Sequence, residues 1–295
     1  MYCFSTRCVI HGSQNGAVTC ATCTGRGADG QACPFLPQVH GKPRVDDRRV
    51  LSGIIFINRN GLRWRDAPEA YGPHKTLYSR WKRWSEKGIF ARMMAGLAAE
   101  HGEQKTVMID ATYLKAPRTA TGMAAKKGGV PDQAEFEDQK TIRGIVFLRT
   151  GGMNTKLHAI CDSNGRPFNL FVTAGPVSDD IGARALLGPL PKVGWLLGDR
   201  GYDADWFRDA LKDKGIRAVR GRFDPLDQIL SPVTPGRKQR KTPVKYDRRR
   251  YKRRNRIETM FGRLKDWRRV ATRYDRCPKV FLSAIALAAV VIYCL

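Results

Sequence analysis

The hydrophobic pattern of this chain changes its period near residue 102, and that change limits the folds open to it. Between residues 45 and 101, apolar side chains recur three and four positions apart, as they do on one face of a helix. Beyond residue 105 they gather in short runs bounded by turn residues, which is typical of buried strands. We therefore expect a small all-helical domain over residues 34–101, followed by an α/β domain over residues 105–295.

The helical part is expected to contain three helices, of which the second is basic. The first begins after Asp46, the second spans Thr76–Glu86, and Gly88 precedes the third. Three short helices of this kind resemble a helix-turn-helix, whose second helix enters the major groove of DNA. Arg80 and Arg83 lie off the apolar stripe of the second helix and are therefore candidate DNA contacts. A helical bundle with basic solvent faces explains the same pattern equally well.

The elements expected after residue 105 follow the order three strands, helix, strand, helix, strand, helix. Their bounds are about Thr106–Tyr113, Lys156–Cys161, Pro167–Thr173, Ser178–Leu187, Gly194–Gly198, Asp205–Lys214, Ile216–Val219 and Tyr246–Trp267. This is the order of an RNase H-like mixed sheet flanked by helices. The stretches 130–150 and 220–235 match none of these elements and are expected to be irregular.

Residues 1–33 show neither a helix period nor a strand period and are expected to be poorly structured. They hold five of the eight cysteines, including the closely spaced pair Cys20 and Cys23. A zinc site needs a second such pair, and Cys3 and Cys8 have the wrong spacing for one, so we expect this segment to be metal-free. The cysteines form no disulfide framework and no secretory signal is visible, which favours a reducing cytosol.

The charge of the chain is strongly positive. There are 53 basic and 27 acidic side chains, a formal net charge of +26. More than half of the excess lies between Gly236 and Arg276, where 18 Lys and Arg accompany 4 Asp and Glu. Such self-repulsion favours a polyanionic partner, because each phosphate contact releases condensed counterions. We expect DNA, although a ribosomal or membrane-surface protein has a similar composition.

Two aspartates occur where a charge is costly to bury. Asp110 lies inside the apolar run Val107–Thr112, and Asp199 directly follows the apolar run Trp195–Gly198. A buried carboxylate needs a hydrogen-bonded partner or a metal ion. Each aspartate alone is more often a cap or an ion-pair residue, but two of them at strand positions indicate a functional site.

A third carboxylate stands alone in the basic helix near the C-terminus. Glu258 is the only acidic residue between Arg248 and Lys265. At 100° per residue, the side chains of Tyr251, Arg254, Glu258 and Lys265 fall within an arc of about 60°, beside the apolar face of the helix. An ion pair between Glu258 and Arg254 accounts for part of this stripe, but not for its tyrosine and lysine.

These motifs resemble those of bacterial insertion-sequence transposases of the Asp-Asp-Glu class. The similarity lies in Asp110-Ala111-Thr112-Tyr113, in Asp199-Arg200-Gly201-Tyr202 and in the Y-R-E-K signature Tyr251-x2-Arg254-x3-Glu258-x6-Lys265. The segment Gly61–Asp66 and the pair Trp81-x2-Trp84 look like the DNA-binding region of that family. The resemblance runs from about Pro34 to Leu295.

The resemblance implies an RNase H-like fold and a transposase that cleaves and transfers DNA strands at the terminal inverted repeats of a mobile element. Asp110, Asp199 and Glu258 are the implied catalytic residues and the ligands of two Mg²⁺ ions, for which Mn²⁺ substitutes. The residues implied to hold phosphates near the cut are Tyr251, Arg254 and Lys265. The implied partners are double-stranded DNA and further copies of the chain on the DNA ends, with no membrane, at the nucleoid of a bacterial cytoplasm.

Three other functions are compatible with the sequence. They are a catalytically decayed copy that acts only as a DNA-binding protein, another RNase H-like nuclease such as a resolvase, and a structural ribosomal protein. Mg²⁺-dependent cleavage distinguishes a transposase from a decayed copy. The helix signature argues against another RNase H-like nuclease. A structural ribosomal protein would need neither Asp110 nor Asp199. If one of the three acids is misassigned, Asp179 and Asp203 are the next candidates.

Overall fold

The computed structural model describes residues 10–12, 18–20, 36, 46–99, 106–116, 154–188, 190, 193–202, 204–216 and 251–294. The expectations that lie outside these residues are the irregular stretches 130–150 and 220–235, the strand expected beyond Ile216, the start of the last helix, and Asp203. Near the N-terminus, two short strands, β1 (Ile10–Gly12) and β2 (Val18–Cys20), pair antiparallel. Strands of three residues are too short to show a period, so the sequence pattern does not predict this pair.

The N-terminal region contains the three predicted helices, α1 (Asp47–Asn60), α2 (His74–Glu86) and α3 (Ile89–Ala99). α1 begins at Asp46, whose carboxylate accepts a hydrogen bond from the Arg48 N–H at 3.0 Å. It ends at Gly61, whose left-handed φ of 68° favours glycine. Two 3₁₀ turns, Trp64–Asp66 and Glu69–Tyr71, lead to α2, which begins two residues before the expected Thr76.

A four-stranded mixed sheet follows, with strands β3 (Thr106–Lys115), β4 (Asn154–Asp162), β5 (Pro167–Ala174) and β6 (Trp195–Leu197). The spatial order is β5-β4-β3-β6, in which β3, β4 and β5 are antiparallel neighbours and β6 lies parallel to β3. In the turn between β4 and β5, the Asp162 carboxylate accepts the N–H groups of Asn164 and Arg166, both at 2.8 Å. This order and these directions confirm the RNase H-like arrangement predicted from the sequence.

The helices of the α/β region are α4 (Asp179–Leu187), α5 (Asp205–Asp213), α6 (Asn255–Lys265), α7 (Arg268–Ala271) and α8 (Pro278–Ala289), and a π-helical turn covers Val290–Cys294. The helix expected from Tyr246 to Trp267 is interrupted within the described residues: Tyr251 and Lys252 are helical, a turn follows at Arg253 and Arg254, and α6 runs from Asn255 to Lys265. Before α6 the backbone forms tighter turns, in which the N–H groups of Arg254 and Ile257 bond to carbonyls three residues earlier, at 2.9 and 3.0 Å.

The two faces of the sheet carry separate hydrophobic cores. Side chains alternate along β3, so that Met108 contributes to one core while Val107 and Ile109 contribute to the other. The first core includes α1, α2, α3, α6 and α8, and the second includes α4 and α5. In α8 every residue from Phe281 to Ala289 is buried, so the charge-free C-terminal stretch is a core helix, as the sequence predicts. No helix in the described part of the chain is long and apolar enough to cross a membrane.

Polar contacts also join the helical region to the α/β region. The Arg269 guanidinium donates to the Leu62 carbonyl at 2.8 Å and lies 5.2 Å from the centroid of the Trp64 ring. A Cβ atom at Gly61 would lie 2.7 Å from Cβ of Arg268, so the backbone there packs directly on α7. These contacts hold the segment that follows α1 against α7.

Candidate active site

Arg254 links two of the three predicted acids. Asp110 lies in the middle of β3, and its Oδ2 accepts a hydrogen bond from Nη1 of Arg254 at 2.7 Å. Nη2 of the same guanidinium donates to Oε1 of Glu258, on α6, at 2.6 Å. The ion pair between Arg254 and Glu258 that the spacing suggests is therefore present, but it belongs to a network that also includes Asp110.

The carboxylate of Asp110 is largely buried, with 13% of the side chain exposed. Burial raises its pKa to about 6, although the Arg254 guanidinium and the Ala111 N–H both act to lower it. The negative charges of Asp199 and Glu258 raise this pKa further. Asp110 is therefore within electrostatic reach of both other predicted acids.

Gly201 lies beside two carboxylates that the fold brings together. Asp199 follows β6, and its Oδ1 accepts the Gly201 N–H at 2.8 Å. A Cβ atom on residue 201 would lie 2.9 Å from Oδ1 of Asp199 and 3.0 Å from Oδ2 of Asp179, the first residue of α4. A side chain at this position would press on both carboxylates and force them to shift. Asp179, a reserve candidate from the sequence, thus lies next to Asp199.

Lys156, a buried residue of β4, forms an ion pair with Asp179. Its Nζ donates to Oδ1 of Asp179 at 3.0 Å and to the Val177 carbonyl at 2.8 Å, and it lies 4.8 Å from the centroid of the Tyr113 ring. Burial disfavours the ammonium, but Asp179 and Tyr113 outweigh this effect and raise the pKa of Lys156. The sequence analysis missed this residue.

His158 is a second buried polar residue of β4 that the sequence analysis missed. It is fully buried, and its Nε2 forms a hydrogen bond with Oγ1 of Thr173 at 2.9 Å. Burial lowers the pKa of His158 to about 4, so the ring is neutral at pH 7. Lys156 and His158 stand two positions apart on one face of β4, among the apolar residues Leu157 and Ala159–Cys161, which is the signal that could have revealed a polar cluster on this face.

Tyr202, the last residue of the Asp-Arg-Gly-Tyr motif, is buried beside the acids. It is fully inaccessible, and its hydroxyl has no hydrogen-bond partner among the described residues. Burial raises the pKa of Tyr202 well above its usual range, and the charges of Asp110, Asp179 and Asp199 raise it further. The hydroxyl is therefore an unpaired polar group close to three carboxylates.

Lys265 and Tyr251 complete the stripe predicted from the helix period. Nζ of Lys265 donates to Oγ1 of Thr112, two residues from Asp110, at 2.6 Å, and burial lowers the pKa of Lys265. The Arg254 guanidinium lies 5.8 Å from the centroid of the Tyr251 ring. The stripe residues are thus grouped around Arg254 and the middle of β3.

The two arginines predicted to contact DNA both lie on α2, but their environments differ. The Arg80 guanidinium forms an ion pair with Asp47 at 2.6 Å and lies 5.9 Å from the Trp84 ring centroid. Arg83 is exposed. Both line an open groove of about 260 Å³, whose other lining residues are Lys75, Thr76 and Ser79.

The donor groups at the cluster fit a hard divalent cation. Carboxylate oxygens such as those of Asp110, Asp199 and Glu258 are the ligands that Mg²⁺ prefers. The missing side chain at Gly201 leaves space beside two carboxylates, and the Tyr202 hydroxyl is an unpaired donor next to them. As they stand, no three His, Cys, Asp or Glu side chains of the described residues are close enough to hold a metal ion. The Arg254 guanidinium is instead the cation that Asp110 and Glu258 share.

Two family models match the chain, and together they cover most of its length. Residues 31–94 match a putative transposase of the IS4/5 family, and residues 101–293 match the transposase DDE domain. The putative transposase for insertion sequence element IS6501 of Brucella ovis is 36% identical over 141 residues, which are 48% of this chain and 98% of that protein. The uncharacterized protein y4sN of Sinorhizobium fredii is 38% identical over 87 residues, 30% of this chain and 69% of that protein.

Among solved structures, a pre-cleavage Mos1 transpososome covers 61% of this chain and 60% of its own, with 13% identity and a TM-score of 0.21. At this TM-score the likeness supports no argument about fold or mechanism. The match to the transposase DDE domain does identify the family, because it extends over more than half of the chain. The Brucella ovis protein is also matched along almost its whole length. The chain therefore belongs to the DDE-domain transposases of insertion sequences.

Proposed function

We propose that this chain is an active transposase that cuts DNA at the terminal inverted repeats of its element and joins the freed 3′ ends to target DNA. Its catalytic residues are Asp110, Asp199 and Glu258. The observation that best supports this assignment is the Arg254 guanidinium, which bonds both to Asp110 on β3 and to Glu258 on α6. Asp199, from a third element, acts electrostatically on the same Asp110 carboxylate.

The three carboxylates are expected to hold Mg²⁺, with Mn²⁺ as a substitute. When bound, such ions stabilise the attacking and leaving oxygens of an in-line displacement at phosphorus. The contribution of the protein is to hold its carboxylates in place. The Ala111 N–H bonds to Asp110 and the Gly201 N–H bonds to Asp199, both at 2.8 Å. Each backbone hydrogen bond restricts the orientation of its carboxylate, whose ionised oxygens are the metal ligands.

Arg254 is expected to exchange its two carboxylates for a phosphate of the DNA. A guanidinium binds carboxylate and phosphate with the same bidentate geometry, so the exchange keeps its hydrogen bonds and releases Asp110 and Glu258. Lys265 would add a point charge near Thr112, and Tyr251 would add a hydroxyl donor. These three roles rest on the resemblance to the Y-R-E-K signature together with the grouping of the side chains.

Duplex DNA is the proposed partner, held by more than one copy of the chain. Beside the acids, the described part of the basic segment exposes several cations, namely Lys252, Arg253, Arg256, Arg263 and Arg268. The groove on α2 offers Lys75 and Arg83 as a second contact. Because this binding is mainly electrostatic, its affinity should fall steeply with salt concentration.

The test is nicking of duplex DNA that carries the element's own ends, by the purified full chain with Mg²⁺. Wild type is expected to nick, whereas Asp110→Asn, Asp199→Asn and Glu258→Gln should bind the DNA without cutting it. Asp209→Asn, which changes an exposed acid on α5, is the matched control and should nick normally. If wild type binds the ends but cuts them with neither Mg²⁺ nor Mn²⁺, the chain is a DNA-binding copy without catalysis.

A further inference from the structure

The two carboxylate oxygens of Asp179 have different surroundings. Oδ1 is bonded to the Lys156 ammonium at 3.0 Å. Oδ2 lies 3.0 Å from the point that a Cβ on Gly201 would occupy, and Oδ1 of Asp199 lies 2.9 Å from that same point. Asp179 and Asp199 therefore approach each other closely across the Gly201 backbone, and Asp199 forms no ion pair among the described residues.

An ion pair with Lys156 explains only half of this arrangement. It accounts for the position of Oδ1 and for the burial of the lysine, of which 7% is exposed. It does not account for the placement of Oδ2 beside a second carboxylate across the Gly201 backbone, because two like charges repel each other. A cation that binds both groups removes the repulsion.

The Tyr202 hydroxyl provides independent support for a ligand at this place. It is fully buried and has no hydrogen-bond partner within the described residues. Leaving a buried hydroxyl unpaired costs about 1–3 kcal/mol. Tyr202 directly follows Gly201, and the charges of Asp110, Asp179 and Asp199 add to burial in raising its pKa. A buried donor in this position indicates that the cluster binds a polar or charged ligand.

We propose that Asp179 is a fourth carboxylate of the active site, which binds a divalent cation together with Asp199. This inference rests on the proposed function, since it extends the metal site of the transposase to the α4 side of the sheet. Lys156 compensates the negative charge of Asp179 through Oδ1, which is the oxygen that does not bind the cation. Gly201 is the residue that allows both acids to reach the same ion.

The test is the affinity of the full chain for Mn²⁺, which is measured from the electron paramagnetic resonance signal of the free ion. Asp179→Asn keeps an oxygen for Lys156 and should weaken Mn²⁺ binding by roughly 10- to 100-fold, the range known for groups that support a metal site. Lys156→Met removes a positive charge beside the ion, so its binding should be unchanged or tighter. Asp209→Asn changes an exposed side chain of α5 and should bind as wild type does.

The variants separate a ligand from a structural ion pair. If Lys156→Met loses Mn²⁺ binding as much as Asp179→Asn does, Asp179 serves only as the partner of Lys156 and the inference is wrong. If Asp179→Asn does not fold, as judged by circular dichroism, the double variant Lys156→Met with Asp179→Asn removes the pair without leaving an unpaired buried ammonium. That double variant should also bind Mn²⁺ roughly 10- to 100-fold more weakly, and wild-type affinity would overturn the inference.

The same series distinguishes this inference from the proposed function itself. If Asp110→Asn abolishes Mn²⁺ binding while Asp179→Asn leaves it intact, the three-acid site stands and the fourth carboxylate is rejected. If wild type binds no Mn²⁺ at all, both the metal site of the proposed function and its extension to Asp179 are rejected.

Discussion

Arg254 and Asp110 form an ion pair of 2.7 Å between residues 144 positions apart in the chain. Both side chains are mostly buried, with 16% and 13% exposed. Because the same guanidinium also bonds to Glu258, it bridges two acids that would otherwise repel each other. The candidate site therefore has a cation supplied by the protein, and this cation must move before another can bind the same oxygens.

Replacing Asp110 with asparagine should change the pH dependence of stability. The ordinary pKa of an aspartate is 3.8, and that of Asp110 in the folded chain is about 6. Between these pH values the folded state binds more protons than the unfolded state. The contribution of Asp110 to stability therefore falls as pH rises from about 4 to 6. His158 acts in the opposite sense, because its pKa is about 4 when folded and 6.5 ordinarily. Its contribution is present above pH 6.5 and is lost as pH falls toward 4.

These two slopes offset each other in the wild type. In Asp110→Asn the slope of Asp110 is removed and that of His158 remains, so the free energy of unfolding of the variant should rise between pH 4 and 6.5 by roughly 1–3 kcal/mol relative to wild type. Urea denaturation at several pH values measures this difference. Parallel pH profiles for the two proteins would mean that Asp110 titrates normally in the folded chain.

Replacing Gly201 with alanine should slow cutting. The new Cβ would lie 2.9 and 3.0 Å from oxygens of Asp199 and Asp179, so these carboxylates must shift. A displacement of about 1 Å at a reacting group can lower the rate roughly 100-fold. The nicking assay measures the loss, and DNA affinity should be retained. Gly188→Ala is the matched control, because no atom lies within 4 Å of a Cβ there, and it should cut normally.

Much of the fold follows from local patterns in the sequence. The apolar runs of β3 to β6 and the turn residues that bound them predict the succession of strands along the chain. The candidate acids Asp110 and Asp199 could be proposed for the same reason, since they interrupt or end such runs. The family motifs added the assignment of Glu258.

The interactions between these acids could not be predicted in the same way. The bond from Arg254 to Asp110 depends on how α6 lies against β3, and no local pattern specifies that placement. The helix period did not reveal the turn at Arg253 and Arg254 that precedes α6. The sequence named Asp179 only as a reserve candidate, and the packing of α4 against the turn at Gly201 brings it beside Asp199.

On α2, Arg83 and Arg80 are expected to behave differently when each is replaced by alanine. Arg83 is exposed in the groove, so Arg83→Ala should weaken binding to the element's ends and leave the free energy of unfolding within about 0.5 kcal/mol of wild type. Arg80 is paired with Asp47 and mostly buried, so Arg80→Ala should lower that free energy by about 1–3 kcal/mol. Fluorescence anisotropy and urea denaturation measure the two effects. Equal losses of DNA affinity at unchanged stability would contradict this division.

The last prediction concerns Arg254 itself. If its guanidinium occupies the place where Asp110 and Glu258 would share a metal ion, Arg254→Gln should strengthen Mn²⁺ binding, because the ion no longer competes with a bound positive charge. The same change should lower the rate of cutting, because the glutamine cannot hold a phosphate with a charged bidentate contact. Stronger metal binding combined with weaker catalysis is the expected signature.

Arg256→Gln is the control for this signature, because Arg256 is an exposed arginine two residues further on, bonded to the Ser163 carbonyl and not to an acid of the site. It should leave Mn²⁺ affinity unchanged within about twofold, since an exposed charge is largely screened by solvent and salt. Metal titrations and single-turnover nicking on the three proteins give both quantities. Should Arg254→Gln bind Mn²⁺ more weakly than wild type, the guanidinium would be needed to hold Asp110 and Glu258 in place for the ion, and the exchange of carboxylates for phosphate would have to be abandoned.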